Sequence, residues 1–226
     1  MAEVMSLPPE LPRESSFLRR LFLSFKTLLF LKDNAANPEK AWLLHTAMDD
    51  RTYESLASEL KQNDPAMFTE RLTVPAPELT LEKLGECPEG SLGKVFSGYF
   101  QANNIFPFTY EFPLKSDADF LYKRYRETHD IHHMMTGYKI DDFGEIEIQA
   151  FYIATLGLRH AKLIVFGGLP YLCFQQRSIS KVIKRLIAAY KHGKLSVNLL
   201  TLPYEKLWNE PLTALTQRYC PLPATA

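Results

Sequence analysis

The sequence predicts an all-α protein, a single multi-helix domain with long irregular connections. Three observations carry that prediction. Apolar residues recur at helical spacing in segment after segment. Asn37-Pro38 and Asp64-Pro65 mark helix starts, a capping side chain followed by proline in the first turn. Alternating strand patterns are few and weak, and there is no internal repeat or low-complexity tract.

The elements follow in order. Residues 1–15, with Pro8, Pro9 and Pro12, read as a flexible N-terminal arm, and 16–222 as the helical domain. Phe17, Leu18, Leu21, Phe22, Phe25, Leu28 and Leu29 predict a helix over 16–31. Its flanking Arg19, Arg20, Lys26 and Lys32 suit a membrane interface, and its apolar face suits a core or subunit contact equally well. Asn37-Pro38 opens a segment to Met48, a second helix runs from about Arg51 to Lys61, and Asp64-Pro65 opens a short one to Leu72. Residues 73–91, rich in Pro and Gly, predict a long ordered loop. Ser91 starts a helix through Phe96 and Phe100. The aromatic stretch 103–115 is irregular, with room for pieces of short strand. Ser116-Asp117-Ala118-Asp119 starts a helix that Gly137 ends. Asp141 or Asp142 caps the next, running to about Val165. Its Ala150, Ala154, Gly157 and Ala161 allow a neighbour to approach closely and make a symmetric homodimer the expected assembly. Ser178 or Ser180 opens a helix closed by Gly193, and a last helical stretch runs from Tyr204 to Tyr219.

Composition excludes several classes. Lys+Arg and Asp+Glu balance at 26 each, so the basic excess of a nucleic-acid binder is missing. Cys87, Cys173 and Cys220 are scattered and odd in number, which argues against a disulfide framework or a cysteine zinc site and for a reducing compartment. The longest nearly apolar run, Leu163 to Phe174, is interrupted by Gly167, Gly168 and Pro170 and is shorter than the roughly 20 residues of a membrane span. Glu3, Glu10 and Glu14 do not suit a targeting peptide, so the mature chain is expected to start near Met1 in the cytoplasm.

Chemistry concentrates in one stretch, His129-Asp130-Ile131-His132-His133, followed after eleven residues by Glu145. Imidazole nitrogen and carboxylate oxygen are the donors that zinc and other first-row divalent ions accept. His129 and His133 lie four apart, one turn above each other on one helix face, and Asp130 borders that face. Glu145 can return on the next helix. A second reading stays open at this point. Asp142-x-x-Glu145 fits a capping box, and a histidine on a helix is more often a hydrogen-bonded structural residue than a ligand. Asp130 stands where the protease pattern His-Glu-x-x-His has its general base, so that chemistry is excluded.

At these residues the chain resembles the ubiquinone biosynthesis protein Coq-four family, whose pattern His-Asp-x-x-His, eleven residues, Glu is matched without a gap. Gly90-Ser91-Leu92-Gly93-Lys94 is similar to that family's Gly-Ser-Leu-Gly-Arg turn. Arg124 to Thr128 is similar to the run leading into its motif, and Tyr204-Glu205-Lys206-Leu207-Trp208 to its closing segment. The resemblance covers roughly residues 17–220. It implies a mostly helical fold and a divalent metal ion, zinc first, held by His129, Asp130, His133 and Glu145. It also implies a polyprenylated quinone precursor or other isoprenoid lipid as ligand, other quinone-biosynthesis enzymes as partners, and peripheral contact with the inner face of the membrane. The family is linked to removal of the ring carboxyl at carbon one and its replacement by oxygen. His132 departs from the pattern, standing where the family usually has an aromatic. About 100° round the helix from His133, it reads as a neighbour or supporting donor.

Two function classes follow. One is a metal-dependent decarboxylase of a prenylated aromatic acid, with Tyr125, Tyr152 and Arg126 as candidates for positioning ring or anion. The other is a non-catalytic lipid-binding scaffold for the quinone-making enzymes. No Gly-rich dinucleotide loop and no nucleophile elbow is present, which leaves any oxidative step to the metal. An apolar groove for the tail is expected along 145–165 and 96–112.

Overall fold

The computed structural model describes residues 38–105 and 114–222, with side chains from Met48 onward. The predicted arm, the helix at 16–31 and residues 106–113 of the aromatic stretch 103–115 lie outside the described residues. What is described is helical: α1 (Pro38–Asn63), α2 (Pro65–Glu70), α3 (Leu81–Gly85), α4 (Leu92–Asn103), α5 (Asp117–Thr136), α6 (Asp142–Thr155), α7 (Arg159–Gln176), α8 (Ile179–Leu195) and α9 (Leu212–Tyr219). Two 3-10 turns, Leu199–Thr201 and Tyr204–Lys206, precede α9. Among the described residues there is no strand, only an isolated bridge between Ser91 and Pro211.

The starts are set locally. Asp64, Ser91, Ser116, Asp141 and Ser178 each accept the backbone N–H three residues on, satisfying a donor that helix geometry leaves unpaired. Asp141 rather than Asp142 is the cap of α6, so the Asp142–Glu145 capping box is not made.

Several boundaries differ from expectation. α1 is one continuous helix through Met48–Arg51, where two were expected. The loop 73–91 contains the single turn α3, and Glu127 accepts the Val74 N–H at 3.3 Å to tie that loop to α5. The expected helix 142–165 is two helices, because Gly157 turns the chain at φ +68° and α7 restarts at Arg159. Gly193 does not close α8. It lies inside the helix, where a Cβ would come within 2.6 Å of the Phe151 carbonyl oxygen and 2.8 Å of Ala154 Cβ. The small residues named for a subunit contact therefore serve packing within the chain: Ala154 faces Gly193, and Ala150 and Ala161 are buried.

Asp49 explains the restart of α7. Leu158 offers α7 no side-chain cap. The fully buried Asp49 carboxylate reaches across instead, accepting the Arg159 N–H at 2.6 Å, the His160 N–H at 2.9 Å and the His160 Nδ1–H at 2.6 Å. An acid mid-sequence in one helix thus caps another and meets the positive end of its dipole. His160 and the cap donors hold Asp49 below the usual carboxylate range despite the opposing effect of burial.

The core has two parts. One surrounds α5, where Phe120, Leu121, Tyr125 and Ile131 meet Phe96, Phe100 and Leu84. The other lies between α6, α7 and α8, around Phe143, Val165, Leu172 and Val182. Each such side chain contributes about 1.5–3 kcal/mol on burial.

The segments that carry the family resemblance pack on one another. Arg124 is buried and donates to Leu200 O at 2.8 Å, to Leu202 O and to the Glu205 carboxylate, clamping the closing segment to α5. The Leu92 and Gly93 N–H groups donate to Glu210 O and Trp208 O at 2.9 and 2.8 Å. The Gly90–Lys94 turn is therefore an architectural joint.

Candidate metal centre

α5 carries His129 and His133 on one face, as their spacing requires, and Gly137 ends the helix with φ +75°. The chain then doubles back sharply. At Gly144 a Cβ would lie 1.9 Å from Lys139 O, so this crossing admits only glycine. The tight return places Glu145 in the first turn of α6, facing the two histidines. His133 Nε2 is 3.3 Å from Glu145 Oε1, and His129 Nε2 is 3.7 Å from Glu145 Oε2. One donor atom from each of the three residues lies within 4.8 Å of the others.

The donor set fits a divalent ion. Atoms bound tetrahedrally to zinc at about 2.0–2.1 Å stand about 3.3 Å apart; the His–Glu distances of 3.3 and 3.7 Å, one to each Glu145 oxygen, are near that value, and the set within 4.8 Å has to tighten to meet it. The tautomer fits as well. His133 Nδ1 is 3.0 Å from Tyr138 O, and a carbonyl can only accept, so Nδ1 carries a hydrogen; in the neutral ring Nε2 keeps a lone pair for a cation, and in the protonated ring Nε2–H faces Glu145. Tyr138 is fixed at its other end. His192 Nε2 donates to Cys220 O at 3.1 Å, so His192 Nδ1 accepts from the Tyr138 hydroxyl at 2.8 Å.

Asp130 is not brought into the trio. Its Oδ1 lies 3.9 Å from His129 Nδ1, beyond hydrogen-bond reach, on the half-exposed edge of the site. His132 points the other way. It is fully buried, with Nδ1 2.8 Å from the Tyr152 hydroxyl, and stands apart from the trio. Burial, then the proximity of His129 and His133, drives its pKa well below the ordinary value. His133 shifts upward. Burial works against its proton, but the hydrogen bond and charge of Glu145 outweigh burial. Glu145 is held low in turn, since His133, His129 and Arg126 overcome the effect of burial.

Tyr125 and Tyr152 form the wall, with ring centroids 6.0 and 6.2 Å from His129. Both are buried, and burial raises both phenols. Sequence reasoning placed Tyr99 of α4 only as a helix residue. Its hydroxyl is buried and has no protein hydrogen-bond partner. Burial and the charges of Asp130 and Glu145 push its pKa up. Nothing in its local sequence separates it from the neighbouring aromatics.

Beyond Tyr125 lies the Asp49–His160 pair, with the His160 ring 6.0 Å from that of Tyr125. Past it, Met48, Arg159, Lys162, Leu163 and Phe166 line an open, mainly apolar cleft of about 540 Å³. Of the two segments expected to line a groove, the former contributes Arg159, Lys162 and Leu163, and α1 supplies the facing wall.

A family model described as coenzyme Q (ubiquinone) biosynthesis protein Coq4 matches residues 44–220. The chain belongs to the Coq4 family. It is 30% identical over 173 residues to the human mitochondrial ubiquinone biosynthesis protein COQ4 homolog, covering 74% of this chain and 64% of the human one. The Komagataella phaffii mitochondrial ubiquinone biosynthesis protein COQ4 is 30% identical over 161 residues, covering 68% of this chain and 52% of that one. The chain thus spans about half to just under two thirds of the length of the curated relatives it matches. A crystal structure of a candidate ubiquinone biosynthesis protein from Nostoc punctiforme superposes with a TM-score of 0.73 at 25% identity, over 89% of this chain and 96% of the other. The Coq4 fold is therefore that of the nine helices described, with the His129, His133 and Glu145 cluster at the junction of α5 and α6.

Proposed function

We propose that this Coq4 protein binds a divalent ion, zinc first, through His129, His133 and Glu145, with Asp130 completing or orienting the set. There it acts on a polyprenylated hydroxybenzoate at ring carbon one. The observation that carries this reading is the convergence of three donors from two helices within 4.8 Å of one another, with the His133 tautomer suited to coordination. Family membership supports a role in ubiquinone biosynthesis. The prenylated substrate places the work at the inner face of the membrane, beside the other enzymes of the pathway.

A bound cation would supply charge stabilisation to oxygens of the substrate. The chain's own groups do the rest. The Tyr99 hydroxyl donates a hydrogen bond to an oxygen near Glu145. Tyr125 and Tyr152 wall the ring, Arg126 favours an anion, and the cleft at Leu163 and Phe166 takes part of the tail. The bond between carbon one and the carboxyl breaks, carbon dioxide leaves, and the bonding electron pair stays on carbon one, which takes a proton from solvent. Putting oxygen in its place takes dioxygen and two reducing electrons from outside the residues named here.

Elemental analysis of purified protein tests the ion, with His133→Ala as control. One divalent ion per chain, lost in the variant, is expected, and equal stoichiometry in both overturns the site. Carbon dioxide release from a prenylated hydroxybenzoate then tests the reaction. Lipid binding without release assigns the metal-loaded protein to presenting the substrate instead.

A further inference from the structure

The α7–α8 hairpin inverts the usual order of a surface. Eight of the twelve large apolar residues exposed among the described residues fall in 159–195, including Phe166 at 71%, Phe174 at 84% and Ile179 at 68% exposure. They form stripes. On α7, Phe166, Pro170 and Phe174 recur every four residues on the side away from the buried Ala161, Val165 and Leu172. This helix is therefore apolar nearly all round while one side meets solvent, a combination that calls for a covering. On α8, Ile179, Ile183, Ile187 and Tyr190 form a second exposed stripe beside the buried Val182, Leu186 and Ala189.

Charge identifies the covering. The segment 159–195 contains no Asp or Glu. Arg159 and Lys162 stand at the start of α7 and Arg177 in the turn. Lys181, Lys184, Arg185, Lys191 and Lys194 follow along α8. The chain as a whole is neutral, so this hairpin concentrates cations that the rest offsets. The nearest acids on α6 are engaged: Glu147 pairs with Arg185, and Asp142 accepts from the Tyr171 hydroxyl. Apposing two copies of this face would set cations against cations. No helix among the described residues is long and apolar enough to cross a membrane. An apolar stripe flanked by Lys and Arg, too short to span, matches a helix lying in the plane of an anionic bilayer.

We propose that the outer faces of α7 and α8 dock this protein on an anionic phospholipid bilayer, Phe166 and Phe174 entering the acyl boundary and the lysines meeting headgroups. The cleft lined by Leu163 and Phe166 then opens at the docked face. This rests on the preceding reading only for the purpose of docking, because a prenylated substrate resides in the bilayer.

Flotation of the full chain with vesicles tests it. One set is phosphatidylcholine alone, and the other contains about a third phosphatidylglycerol. Binding to the anionic vesicles is expected, falling about ten-fold or more on neutral vesicles and likewise in 0.5 M salt. The exposed-site variants Phe166→Ser with Phe174→Ser, and Lys181→Glu with Lys184→Glu, should each lose about ten-fold or more while keeping helical content and bound metal. Unchanged vesicle binding in both variants overturns the proposal, as does absence of binding in the parent. Variants that change only the oligomeric state in sedimentation also overturn it, by assigning the face to a second copy. Loss of metal with intact vesicle binding would sink the proposed function and leave the docking face standing.

Discussion

Tyr125 stands between two histidine–carboxylate clusters built in opposite ways. On one side, Asp49 and His160 are wholly buried, and the Asp49 carboxylate accepts three hydrogen bonds of 2.6–2.9 Å. On the other, Glu145 is 43% exposed and faces His129 and His133 at 3.3–3.7 Å. In the first cluster both Asp49 oxygens are engaged, and they tie α1 to α7. The second holds His133 from behind through the Tyr138 carbonyl and leaves its front donor atoms 3.3–3.7 Å apart. Residue type is the same in both. Saturation of the carboxylate is what separates the structural staple from the candidate ligand set.

The largest effect is expected at the staple. Asp49→Ala should lower stability in urea denaturation by about 3–5 kcal/mol, because it uncaps α7 and strands buried His160. Metal stoichiometry should survive. A smaller loss, within about 1 kcal/mol, would mean that the two clusters are not so different. Glu145→Gln should invert this pattern, with stability within about 1 kcal/mol of the parent and metal affinity down at least about 100-fold by competition with a chelator.

pH sharpens the contrast further. His132 has a folded pKa well below its unfolded value of about 6.5. Below that pH the unfolded chain takes a proton that the folded chain refuses, so stability falls with acidification at up to about 1.4 kcal/mol per pH unit. In the metal-free protein His133 has the opposite sign. Its raised pKa contributes stability that is fully present below about 6.5 and lost as pH rises through the folded value. Replacing each by Gln in turn should therefore change the slope of urea midpoint against pH in opposite directions. The smallest effect is expected at Tyr138→Phe, about 1 kcal/mol for the hydroxyl bond to His192. Metal affinity should fall less than ten-fold, since the carbonyl that orients His133 remains.

What could be read in the sequence was what neighbours decide. Ser116, Asp141 and Ser178 cap helices through partners three residues away, and the turn from His133 to Glu145 follows from a glycine stop, a cap and spacing. What could not be read depends on distant partners. Asp49 looks like an interruption of α1 until its partners 110 and 111 residues on are known. The restart of α7 carries no cap of its own, because that cap comes from α1. The sequence predicts an end to this helix near Val165, yet α7 runs on to Gln176 with Pro170 inside it, on the exposed side. The Tyr99 hydroxyl matters only through what folding brings beside it. Gly193 resembles a stop signal, although its role is to admit the Phe151 backbone.

Arg124 has a consequence for biogenesis. Its partners lie 76, 78 and 81 residues downstream, at Leu200, Leu202 and Glu205. A nascent chain emerging from the ribosome exposes α5 long before those acceptors exist, so its guanidinium must remain hydrated and the inner helices unsettled until translation is nearly finished. Maturation of this protein is therefore a late event, and a premature stop codon before position 200 removes the acceptors on which the whole bundle closes.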